Sequence, residues 1–154
     1  MSKVIVLAVD AARHEPGKHV NSAVEMIKDL ATDTGDKVVV LHVHEFAVGR
    51  FGRIQVDCHD EAGEHLVTDI VTELTAAGVK AEGLIKEADY GHVPRAIVAA
   101  AREQHARLLA LGSSSHTDLP LVTFGTIAAR VLHIATVPVI IVPMRPPAES
   151  GDPS

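Results

Sequence analysis

At 154 residues the chain fits one domain of ordinary size, long enough to bury a proper core. Hydrophobic residues make up 47% and aromatic ones only 3%, so the core must be built from Val, Ile, Leu and Ala, which suits buried parallel strands covered by helices. A net charge of −6 with no basic run argues against a nucleic-acid partner, and a single cysteine, Cys58, excludes an internal disulfide framework.

Lys3 to Val9 is apolar and rich in β-branched residues, which predicts a first strand buried on both faces. The run ends in Asp10 and is too short for a signal or membrane segment, so a cytoplasmic protein without a membrane partner is expected. Ala11 to Gly17 reads as a turn region. Val20, Val24, Ile27, Leu30 and Ala31 recur at helical spacing, and the pattern stops near Gly35. Val38 to Val43 predicts a second buried strand. Glu45 to Cys58 holds Gly49 and Gly52 without clear periodicity and reads as a long crossover loop.

Ala62 to Ala77 carries Leu66, Ile70, Val71 and Leu74 on one helical stripe that Gly78 terminates. Val79 to Lys86 predicts a third strand, more polar and alternating, hence at or near a sheet edge. Gly91 to Glu103 predicts a helix with Pro94 in its first turn and Ile97, Val98 and Ala101 facing inward. Leu108 to Leu111 is the fourth strand, Thr123 to His133 the fourth helix and Val137 to Val142 the fifth strand. The domain is expected to span 1–144, with a disordered Pro-, Gly- and Ser-containing tail over 145–154.

This alternation predicts an α/β fold, an open five-stranded parallel sheet with helices on both faces. In such sheets ligands sit beyond the carboxyl ends of the strands, where strand order reverses. Those ends carry Asp10, Val43-His44, Lys86-Glu87 and Gly112-Ser113. If the order is 3-2-1-4-5, the first and fourth strands are neighbours at the switch point.

The stretch Leu111 to Thr126, L-G-S-S-S-H-T-D-L-P-L-V-T-F-G-T, begins at a strand end and closes at a helix start, with Gly and hydroxyl residues at both. That is how backbone N–H groups are gathered around a phosphate. No G-x-x-x-x-G-K-[S/T] motif is present to supply a phosphate-loop lysine. Gly112-Ser113-Ser114-Ser115, nine residues, then Gly125-Thr126 matches G-x-x-[G]-x9-G-[S/T] with serine at the middle glycine. Together with the strand ending in Asp10, Leu41-His42-Val43, E-A-D-Y-G-H-V-P-R-A-I from Glu87 to Ile97, and V-P-V-I-I-V from Val137, it resembles the universal stress protein family over nearly the whole chain.

The resemblance implies a sheet of order 3-2-1-4-5, of the adenine nucleotide alpha hydrolase-like type, paired as a homodimer through the last strand, Val137 to Val142. It also implies a dimeric sensor or regulator that binds ATP or AMP. Asp10 would contact the adenosine portion, and Ala8, Val9 and Val43 would line the adenine slot. Leu111 and Gly112 would approach the ribose and phosphates, with Ser114, Ser115, Gly125, Thr126 and Ile127 around the triphosphate. Mg²⁺ or Mn²⁺ would bridge phosphates, held mostly by nucleotide and water. Some members of the family bind no nucleotide, so a dimeric interaction protein of the same fold is the alternative.

Three departures from the family pattern bear on this choice. Ser115 replaces the middle glycine, at a cost on the order of 1 kcal/mol if that position needs φ > 0, or about tenfold in affinity. Ala11-Ala12 follow Asp10, where small hydroxyl or glycine residues are common. Arg107 stands where many members carry Asp, a change expected to affect the surface only.

Other polar residues have plainer readings. Asp10 could simply cap the following turn. His42 and His44, at i and i+2, lack the partners that complete a metal site and read as a packed or solvent-facing pair. Arg50 and Arg53 read as solvated rather than as phosphate ligands, and Cys58, beside Asp57, His59 and Asp60, as a thiol without a redox role. Neither His116 nor any acid forms a recognisable nucleophile elbow, and no dedicated ligands for Mg²⁺ or an attacking water are identifiable, so no enzyme activity beyond slow incidental ATP hydrolysis is expected.

Overall fold

Uninterrupted branched residues make the two central strands. In the computed structural model, which describes residues 3–9, 22–55, 60–113 and 126–143, β1 (Val4–Ala8) and β2 (Lys37–Gly49) bury Ile5, Val6, Leu7 and Val38 to Leu41 completely. β1 pairs in parallel with β2, Ala8 opposite Leu41, and with β5 (Ala106–Ser113), Ala8 opposite Leu111. β4 (Ala81–Asp89) pairs in parallel with β2, and β6 (Val139–Pro143) with β5. The parallel strands therefore run β4-β2-β1-β5-β6, which is the expected 3-2-1-4-5 order.

One expectation is corrected. Residues predicted as a crossover loop continue β2 to Gly49 and return as β3 (Gly52–Gln55), antiparallel to β2, with Phe46 opposite Gln55 and Gly49 opposite Gly52. The sheet of the described residues is thus six-stranded and mixed rather than purely parallel. Arg50 and Phe51 form the reversal, and Gly52 supplies the φ of 118° that follows it. Arg53 is paired rather than merely solvated. Its guanidinium lies 4.5 Å from the centre of the Phe46 ring and reaches Glu87 and Asp89 of β4, each at 3.3 Å. This braces the hairpin against its neighbour.

Helices α1 (Ser22–Thr34) and α2 (Asp60–Ala76) cover one face, with Val24, Ile27, Ile70 and Leu74 buried against Leu7 and Val40. Gly35 and Gly78 end them at φ 74° and 86°, donating N–H to Ala31 O (2.8 Å) and Thr75 O (3.0 Å), as the glycine stops foretell. Helices α3 (Val93–Glu103) and α4 (Thr126–Ile134) cover the other face, where Ile97, Val98 and Val131 meet Val6, Val39 and Leu109. The helices change face between β1 and β5, which is the switch point. Among the described residues no helix is long and apolar enough to cross a membrane. The tail over 145–154 lies outside the described residues.

β4 is an edge, as its polar alternation foretells, and it is guarded by charge: Lys37–Glu82 at 2.8 Å and Lys86–Glu103 at 3.1 Å. Arg107 departs from its expected surface role. It reaches Oδ2 of Asp36 at 2.6 Å, without an N–H aligned well enough for a hydrogen bond, so the contact is charge against charge. The Lys3 amide donates to Oδ1 of the same carboxylate, which is 4% exposed. Asp36 thereby ties the starts of β1 and β5 to that of β2.

Burial opposes ionisation of Asp36, but the Lys3 amide, the Thr34 hydroxyl and the Arg107 charge outweigh it and hold the carboxyl below the usual carboxylate range. A folded-state value below the unfolded one means stability that is full above the unfolded pKa and lost as pH falls through the folded one. Asp36→Asn should therefore cost about 2 kcal/mol in urea unfolding at neutral pH. Its deficit against the wild type should shrink on acidification below the ordinary carboxylate range. A deficit that is independent of pH would contradict this role.

Candidate functional site

At the carboxyl end of β1 the sheet opens. Val9 makes the last ladder contact, its N–H donating to Leu41 O at 2.8 Å, while Tyr90 N–H donates to Phe46 O at 2.7 Å on the opposite side of β2. Main-chain groups alternate sides along a strand, so Val43 turns its N–H and C=O toward the β1 side, just past the end of β1. Farther along, β3 occupies that same side. From the position opposite Val9 to Gln55, opposite Phe46, β2 runs four residues, a gap of about 13 Å.

Side chains around this opening sort by face. Ala8, Val43 and Ile127 are half-buried and pack against the same apolar cluster that contains Leu111, on the α3 and α4 side. Gly112, also half-buried, lies opposite Val142 of β6. Val9 packs on the other face, against the α1 and α2 cluster. Of the residues expected to line the adenine slot, Ala8 and Val43 therefore share a face and the Val9 side chain lies on the other. Thr126 is the first residue of α4, so the unpaired N–H groups and positive end of that helix dipole begin where the glycine motif closes. Asp10, Ser114, Ser115 and Gly125 lie outside the described residues, as do Ala11, Ala12, Cys58 and His116.

His42 and His44 are both packed, each 8% exposed, with ring centroids 5.0 Å apart and nearly edge-to-face. Among the described residues no group of three or more His, Cys, Asp or Glu could hold a metal ion. Sequence reasoning missed the β2–β3 hairpin beside the opening, with Val48, Phe51 and Ile54 exposed. The alternation of Phe46 and Val48 before Gly49, and Gly52 directly after the reversal, is the signal that could have found it.

An open depression lined by Lys37, Thr75, Gly78 and Lys80 lies at the opposite end of the sheet, away from these carboxyl ends. Among the described residues the switch point offers an apolar floor, main-chain donors and acceptors at its side, and a helix N-terminus.

Comparison with known proteins agrees with this fold. A universal stress protein from Burkholderia pseudomallei shares the fold at a TM-score of 0.68 and 24% identity, covering 92% of this chain and 96% of that one. The universal stress protein from Archaeoglobus fulgidus in complex with dAMP gives 0.64 and 21%, covering 93% and 98%. An Arabidopsis thaliana family protein with AMP bound gives 0.63 and 21%, covering 93% and 92%. No relative is found among curated protein sequences. The model of the universal stress protein family matches residues 1–143 of the 154, and the chain belongs to that family.

Proposed function

We propose that this protein binds an adenine nucleotide at the β1–β5 switch point and acts in the cytoplasm as a dimeric sensor or regulator rather than as an enzyme. The observation that carries the reading is the gathering of Ala8, Val43, Leu111 and Ile127 on one apolar face at that opening. Val43 main-chain groups beside it can pair with the edge of a base. Family members solved with AMP and dAMP lend support.

In this reading the base lies against Ala8 and Val43, and the Gly112 to Thr126 stretch turns its amides toward the phosphates. Mg²⁺ or Mn²⁺, when bound, neutralises phosphate charge. Ligand binding then shifts the population of a partner-binding surface. The dimer forms through β6, whose outer edge is unpaired among the described residues and carries the half-buried Val139 and Ile141. Thermal unfolding with and without ATP and Mg²⁺ tests the reading: a raised midpoint supports it, and an unchanged one leaves an interaction protein of the same fold.

A further inference from the structure

The ring of His42 sits in a seat that the sequence has made for it. It projects from β2 toward α2, where Gly63 is the fourth residue of the helix. A Cβ at Gly63 would stand 2.2 Å from Nε2 and 2.4 Å from Cδ2 of His42, so no other residue fits there with the ring in place. Glycine within a helix is otherwise unfavourable by about 1 kcal/mol relative to alanine. Its presence here is explained by the ring. On the other side of the ring, Nδ1 lies 3.3 Å from the carbonyl oxygen of Val9. A carbonyl can only accept, so Nδ1 must carry the proton and donate.

Building on the nucleotide reading, we propose that His42 is a positioning residue for the site: wedged by α2 at Gly63, it holds the Val9 carbonyl and so fixes the end of β1 that borders the base. Three features agree on this role: burial of the ring, the glycine that admits it, and the contact with the last residue of the β1 ladder. The ring links α2 to the opening without lining it. Its effect on a ligand is exerted through the main chain at Val9.

Calorimetric titration with ATP and Mg²⁺ tests it on three variants. His42→Leu, which keeps bulk but no donor, should bind about tenfold more weakly. His42→Asn, whose side-chain amide can donate from nearly the same place as Nδ1, should return to within about threefold of the wild type. Gly63→Ala should improve α2 by propensity alone, yet by displacing the ring it should also weaken ATP about tenfold. Nitrogen NMR of the wild type should find the His42 proton on Nδ1. Unaltered affinity in His42→Leu and Gly63→Ala, or a proton on Nε2 alone, would overturn this inference while leaving the nucleotide reading intact. Failure of the wild type itself to bind ATP would overturn both.

Discussion

Gly112→Asp is expected to weaken ATP binding about a hundredfold with little change in the fold. Gly112 lies in the last turn of extended chain in β5, half-buried and at the mouth of the switch point. In the proposed site a carboxylate there would face the phosphates across roughly 6 Å, and at an effective dielectric near 20 the repulsion would be about 3 kcal/mol per unit charge. That corresponds to roughly two decades in affinity. Gly112→Asn adds nearly the same bulk without charge and separates the two causes: it should lose about tenfold at most. Part of the aspartate effect should also disappear in high salt, because the opening is accessible to counter-ions. Equal losses in the two variants at every ionic strength would place no phosphate near Gly112.

The second large effect concerns assembly. Ile141→Lys should convert the proposed dimer to monomer in sedimentation at micromolar concentration. β6 is bonded to β5 on one side only, and Ile141 is half-buried against the α3 and α4 cluster. In a two-fold interface the same patch appears twice, so one substitution brings two ammonium groups to the same seam. Like charges placed across paired strands destabilise the pairing, while the long stem of lysine can keep its contact with the helices and carry its charge outward. Circular dichroism should therefore remain that of a folded α/β protein. A dimer that persists unchanged would move the interface away from β6.

How much of this was legible beforehand depends on the range of the interaction. β1, β2, β5 and β6 declare themselves through unbroken Val, Ile and Leu, and Gly35 and Gly78 mark helix ends because only a left-handed residue closes them cheaply. Ala8, Val43, Leu111 and Ile127 were expected at the site from the family pattern; strand register and the packing of α4 put them in one apolar cluster, which is as much of that expectation as the fold itself displays. The hairpin escaped because Arg50-Phe51 is not the Asn-Gly type of reversal, and its strands are short and partly polar. Arg53 and Arg107 escaped for a different reason. Their partners, Glu87, Asp89 and Asp36, are more than thirty positions away in sequence, and a charge pair leaves no local pattern. Gly63 is similar: its meaning appears only when the ring of His42 is set against it.

Nucleotide binding at the switch point is most directly tested by thermal unfolding of the wild type and Gly112→Asp side by side, with and without millimolar ATP and Mg²⁺. At a free ligand concentration of about 100 times Kd, the wild type should gain about 2.7 kcal/mol, and the aspartate variant well under half of that at the same concentration. A wild-type midpoint that ATP leaves where it was would contradict the account.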